Sequence, residues 1–169
     1  MPNPPRQTTM NVILKSVDEA QADPKKMAVF ELQPVGVDPL PPPNGPNQTL
    51  IFDNVVHGVG HNGVNIDYVL IDQSGKNYLF PPNNKKADAV SSELGATDRC
   101  PLQRRNDVLS PINVSPDKKT LSVHNPNQNK PGGPNLTGPF SYVLWVTKDG
   151  GENYVPLDPG GVNNNGSIG

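Results

Sequence analysis

The chain has 169 residues and a formal net charge of −2, which is one domain's length without the basic surplus of a nucleic-acid binder. Proline, glycine and asparagine number 21, 16 and 20, a third of the chain. Each favours turns for its own reason: proline fixes φ, glycine reaches positive φ, and asparagine tolerates the left-handed region. That share of turn formers excludes a helical bundle and leaves many short strands joined by long loops.

Residues 1–9 are polar and proline-rich and read as a flexible N-terminal arm. From Met10 the pattern alternates, with Met10, Val12 and Leu14 on one side and Asn11, Ile13 and Lys15 on the other. After the Asp23-Pro24 turn signal, residues 27–32 form a second strand. Residues 34–48 are too rich in proline for a helix or a central strand and read as a long crossover. Residues 49–56 and 64–72 are strands, the latter placing Val64, Ile66, Tyr68 and Leu70 on one face. Residues 77–80 return after a turn.

Residues 85–94 are the one helix candidate, with Ala87, Val90 and Leu94 on one face and Gly95 at the C′ position. Residues 108–114 are a strand interrupted by Pro111, and 119–124 a short strand. Residues 125–139 form a long exposed loop. Residues 140–147 and 153–158 make a hairpin with a glycine turn, Phe140, Tyr142, Leu144 and Val146 on one face and Val143 and Trp145 on the other. Residues 160–169 read as a flexible C-terminal tail that buries nothing, so a single domain spans residues 10–159.

These elements predict an all-β fold, an immunoglobulin-like antiparallel β-sandwich with long Pro/Asn-rich loops. The expected core is Val12, Leu14, Val29, Phe30, Leu50, Phe52, Ile66, Tyr68, Leu70, Leu121, Val123, Tyr142, Leu144 and Val146. The single cysteine, Cys100, excludes an internal disulfide framework. No apolar run approaches the roughly 18 residues of a membrane span. The N-terminus lacks the apolar stretch of a signal peptide, so the expected location is cytoplasmic.

Four features touch on chemistry. Gly58-Val-Gly60-His-Asn-Gly63 matches G-x-G-x-x-G, but a dinucleotide site needs a helix next, and residues 64–72 have strand periodicity instead. The segment therefore reads as a glycine-rich hairpin loop. His57 and His61, four residues apart, are candidate metal ligands with Asp53, provided a folded loop draws them together. Cys100 lies near Arg99, Arg104 and Arg105, cations that lower a thiol pKa, but no family motif surrounds it. Trp145 and Tyr154 are candidate ligand-binding platforms; the competing reading places Trp145 in the core. No motif implies a cofactor.

The stretch Phe140-Ser-Tyr-Val-Leu-Trp-Val-Thr147, with Tyr154-Val-Pro-Leu-Asp-Pro159 and Val162-Asn163, resembles the DP-EP family of small uncharacterised bacterial proteins. The likeness covers about a fifth of the chain, and the Glu-Pro dipeptide is missing. The resemblance implies a compact immunoglobulin-like sandwich and transfers no catalytic residue.

The leading expectation is a non-enzymatic structural or protein-interaction domain, with a protein partner or self-association through exposed sheet edges. Nucleic acid and membrane are not expected partners. The alternatives are a carbohydrate or small-ligand binding module using Trp145 and Tyr154, and a metal-dependent enzyme using His57 and His61.

Overall fold

The computed structural model describes residues 3–95, 106–127 and 136–164. Within them run β1 (Arg6–Val17), β2 (Ala28–Val35), β3 (Leu50–Asp53), β4 (Val55–Val56), β5 (Val59–Gly60), β6 (Val64–Asp72), β7 (Val90–Leu94), β8 (Ser110–Val114), β9 (Thr120–Asn125), β10 (Gly138–Val146), β11 (Val155–Leu157) and β12 (Gly160–Asn164). The all-β expectation holds. One sheet has the order β2-β1-β6-β9-β8. In a second, β10 is central, with β7 on one side, β11 and β12 on the other, and β3 beyond β12. Both sheets feed one hydrophobic cluster: Met10, Val12, Ile66, Tyr68 and Leu121 from the first, and Leu50, Phe52, Tyr142 and Leu144 from the second.

The sheets are mixed, where antiparallel pairing was expected. β1 runs parallel to β6, and β12 parallel to β3. The cause is connectivity: after β2 the chain visits the other sheet through β3 before returning as β6, so β1 and β6 are not hairpin partners.

Two boundaries also move. The expected arm at 1–9 already contains strand from Arg6, whose side chain is buried. The expected tail at 160–169 begins with β12, which lies between β10 and β3. Its glycines are the reason: a Cβ at Gly161 would stand 2.5 Å from Phe140 Cζ, so the bare backbone is what lets that ring pack. β11 and β12 keep one register against β10, Leu144 opposite Leu157 and Ser141 opposite Gly160. Asp158-Pro159 is thus an interruption inside one long hairpin arm.

The helix expected at 85–94 is absent. Asn83–Asp88 forms 3-10 turns and Val90–Leu94 is β7. Pairing with β10 at Tyr142↔Ser92 and Leu144↔Val90 outweighs a three-residue apolar spacing. Twelve of the fourteen expected core residues are buried; Val29 is 55% exposed and Phe30 half-buried. In β2 the inward phase belongs to Leu32, which leaves Val29 facing out. β10 is buried on both faces.

Side chains and prolines blunt the sheet edges. Met10 faces Pro34 and Val12 faces Leu32 across β1–β2. Ladder bonds alternate along such a pair. Pro34 has no N–H to give, so this phase points outward, and the Leu32 N–H donates to Gln48 Oε1 at 3.0 Å. On the opposite edge, β8 carries Pro111; its Val114 N–H donates to Asn83 Oδ1 at 2.9 Å, and Lys86 Nζ donates to the Ile112 carbonyl at 2.9 Å. Along β7, the Ser92 carbonyl accepts from the Asp107 N–H at 3.1 Å. The Ser92 hydroxyl accepts from the Val108 and Leu109 N–H groups at 3.1 and 2.9 Å.

Candidate functional site

β4 and β5 form a two-residue hairpin whose turn is His57-Gly58, with φ of 51° and 79°. Positive φ at both positions is the turn that matches strand twist. It puts His57 at the tip, its side chain 88% exposed and its Nε2 3.9 Å from Asp38 Oδ1. His61 lies past the other strand, where its backbone exchanges hydrogen bonds with Asn54 and its Nδ1 meets the Pro4 carbonyl at 3.0 Å. Asp53 Oδ1 accepts from the Val55 N–H at 2.9 Å. The three expected metal ligands thus engage three different segments. Among the described residues no three His, Cys, Asp or Glu side chains converge. β6 comes directly after Gly63, as the hairpin-loop reading of the glycine motif requires. Cys100 lies outside the described residues.

Trp145 is 7% exposed. Its Nε1 donates to Ser91 Oγ at 3.0 Å, and its ring meets Tyr154 edge to face with centroids 6.4 Å apart. Tyr154 is half-buried, and its hydroxyl donates to Asp88 Oδ2 at 3.2 Å. A stacking platform needs an open ring face, and this indole packs on the side of β10 away from the shared core. The pair fastens the 3-10 turns to the sheet.

The strand directions gather the loops at 18–27, 73–80, 115–119 and 147–154 at one end of the fold. Tyr78 is at their centre. Its neighbour Leu79 exchanges backbone hydrogen bonds with Thr147 at 2.9 and 2.8 Å, and the Phe80 N–H donates to the Lys118 carbonyl at 2.9 Å. This segment therefore links the two large sheets. The buried Tyr78 hydroxyl donates to Glu19, which also pairs with Lys148 at 2.6 Å. The Lys148 ammonium, and then the Tyr78 hydroxyl, hold the Glu19 carboxyl below its ordinary value. Burial, and then Glu19, push the Tyr78 phenol well above its own.

Beside this latch lies an open groove of about 560 Å³, walled by Ile71 and Leu79 and rimmed by Asn77 and Lys119. The Asp72 carboxylate on its floor is occupied, accepting from Ser74 and from the Tyr78 N–H. Asp72, Asn77 and Lys119 are the polar residues of the groove, set among apolar neighbours, a lining of the kind that small-molecule sites have.

The opposite end is fastened by buried polar side chains. Arg6 Nη1 donates to the Asp53 carbonyl at 2.6 Å, and its Nη2 to the Asp38 and Pro39 carbonyls at 3.2 and 3.0 Å. It thereby pins the proline-rich crossover to β1 and β3. Asn125 Nδ2 donates to Asn163 Oδ1 at 2.6 Å, and Asn163 donates in turn to the Leu136 carbonyl. Asn127 Nδ2 donates to the Phe52 and Asn164 carbonyls. Sequence reasoning gave no role to Glu19, Tyr78, Lys148, Arg6, Asn125 or Asn127, and it named Asn163 only within the C-terminal resemblance. The Glu19–Tyr78 partners are 59 positions apart, so no local pattern announces them.

No family model matches the chain, and no curated protein matches its sequence.

Proposed function

We propose that the chain is a non-enzymatic interaction domain, an immunoglobulin-like β-sandwich that meets a protein partner through its loops. The observation that carries this reading is the capping of β2, β8 and β7 by Gln48, Asn83, Lys86 and Asp107. A domain so protected discourages strand addition, which leaves the loop ends as the surfaces for recognition. The ionisable side chains gathered at the Tyr78 end act as ties: Glu19, Lys148 and Asp72 are each spent on holding a loop. The expected self-association is accordingly narrowed to a partner of different sequence. Light scattering across a wide concentration range tests this, with a monomer mass throughout as the expected result. A concentration-dependent dimer would sink it.

The groove favours a second reading, a small-ligand module whose contacts are Asn77 and Lys119 in place of Trp145 and Tyr154. Amide chemical-shift mapping with a panel of small carboxylates distinguishes the two. Saturable shifts confined to residues 70–79 and 119 favour the ligand module; their absence favours the interaction domain.

A further inference from the structure

We propose that Asn44 is a site of spontaneous backbone modification, and that its conversion uncaps the β2 edge. Three Asn-Gly or Asp-Gly steps lie among the described residues: Asn44-Gly45, Asn62-Gly63 and Asp149-Gly150. At such a step the backbone nitrogen of the glycine attacks the preceding side-chain carbonyl carbon. For Asn44 the new bond joins Gly45 N to Cγ, the Cγ–Nδ2 bond breaks, and ammonia leaves with the amide proton. Water then opens the succinimide. Cleavage at Cγ gives aspartate; cleavage at the main-chain carbonyl gives isoaspartate. Water is the one co-reactant.

The three steps differ in freedom. Asn44 and Gly45 are both exposed, neither the Asn44 side chain nor the Gly45 N–H is hydrogen-bonded, and a Cβ on Gly45 would meet nothing within 4 Å. Gly63 is wedged: a Cβ there would stand 2.5 Å from the Asn125 carbonyl oxygen, and its own carbonyl accepts from the Arg6 N–H at 2.9 Å. The Asp149 carboxylate accepts from the Thr147 hydroxyl at 2.7 Å and from the Glu152 and Asn153 N–H groups at 3.1 and 2.9 Å. Those bonds hold it ionised, and an ionised carboxylate is a poor electrophile.

Conversion has a defined structural consequence. Asn44 and Thr49 exchange backbone hydrogen bonds at 2.8 and 2.9 Å, closing the loop that holds Gln48 at φ 52° with its side chain on the Leu32 N–H. Isoaspartate adds a methylene to the backbone inside that closure and moves Gln48 off its donor. Modification of one exposed loop thereby reaches the protected edge strand.

The test ages the native protein in mildly alkaline buffer. Peptide mapping separates aspartyl from isoaspartyl forms, and amide exchange is followed at Leu32. Asn44 is expected to convert more than about tenfold faster than Asn62, whose reaction waits on local opening. Leu32 exchange should accelerate in the aged protein and not in an aged Asn44→Ser variant. Equal rates at Asn44 and Asn62 would overturn the assignment of the site. Unchanged Leu32 protection after conversion would overturn the uncapping.

Discussion

The Tyr68 hydroxyl donates to the Tyr142 hydroxyl at 3.3 Å, joining β6 of one large sheet to β10 of the other inside the shared core. Both side chains are fully buried, and the Tyr142 ring also meets Phe52 edge to face, with centroids 6.1 Å apart. Replacing Tyr68 by Phe strands one buried hydroxyl, at a cost of about 1–3 kcal/mol. Replacing Tyr142 does the same from the other side. The double Phe variant removes both polar groups, so its loss of stability should fall short of the sum of the single losses. Urea unfolding of the four proteins checks this; strict additivity would show that the two hydroxyls do not interact.

The same pair sets an alkaline limit. Burial raises both phenols above the ordinary value of 10.0; the added influence of Tyr142 raises Tyr68 further, while the bond from Tyr68 partly offsets the shift at Tyr142. A raised phenol pKa means that the native state keeps protons the unfolded chain has lost. This contribution is therefore complete below the unfolded value and falls away as pH rises towards the folded ones. Stability should decline above about pH 10, more steeply than in the double Phe variant. Equal slopes for the two proteins in that range would refute the assignment.

Strand existence was legible wherever apolar residues alternate: 64–72 matches β6, 140–147 overlaps all but the first two residues of β10, and their inward residues are the centre of the core. Pairing direction was not legible, because alternation fixes a face and carries no information about which neighbour a strand takes. The glycines of β12 misled because a missing side chain was read as missing burial, whereas Gly161 is covered by Phe140. Pro34 and Pro111 lie in the edge strands β2 and β8, but the side chains that complete the capping, Gln48 and Asn83, come from a loop and a 3-10 turn distant in sequence. The polar ties at both ends escaped for a similar reason: Arg6 and Asn127 become structural only once distant carbonyls are brought to them.

Gly161 gives a local test of the C-terminal strand. Its backbone is not in the positive-φ region, so Ala is strained there only by contact with the Phe140 ring. Gly161→Ala should cost about 1–3 kcal/mol as overpacking. Trimming the obstacle in a Phe140→Leu background should shrink the penalty. Thermal unfolding of the four combinations checks the coupling. An unchanged penalty in the Leu background would mean that β12 does not pack on this ring.

The Glu19 latch predicts a response at the acid end. Its carboxyl is held below the ordinary 4.5, first by the Lys148 ammonium and then by the Tyr78 hydroxyl. A depressed carboxyl contributes stability above its unfolded pKa and loses it as pH falls through the folded one. Glu19 is solvent-exposed, so the effect is local loop order and not global stability. In Glu19→Gln the ammonium loses its charged partner at any pH, and amide exchange across residues 18–27 should quicken at neutral pH. The wild type should reach the same fast exchange, after correction for intrinsic rates, only in strong acid. Tyr78 remains buried by Leu79 pairing with Thr147, so exchange at residues 79 and 147 should not change with the variant. If the 18–27 loop exchanges identically in both proteins at neutral pH, the latch does not hold it.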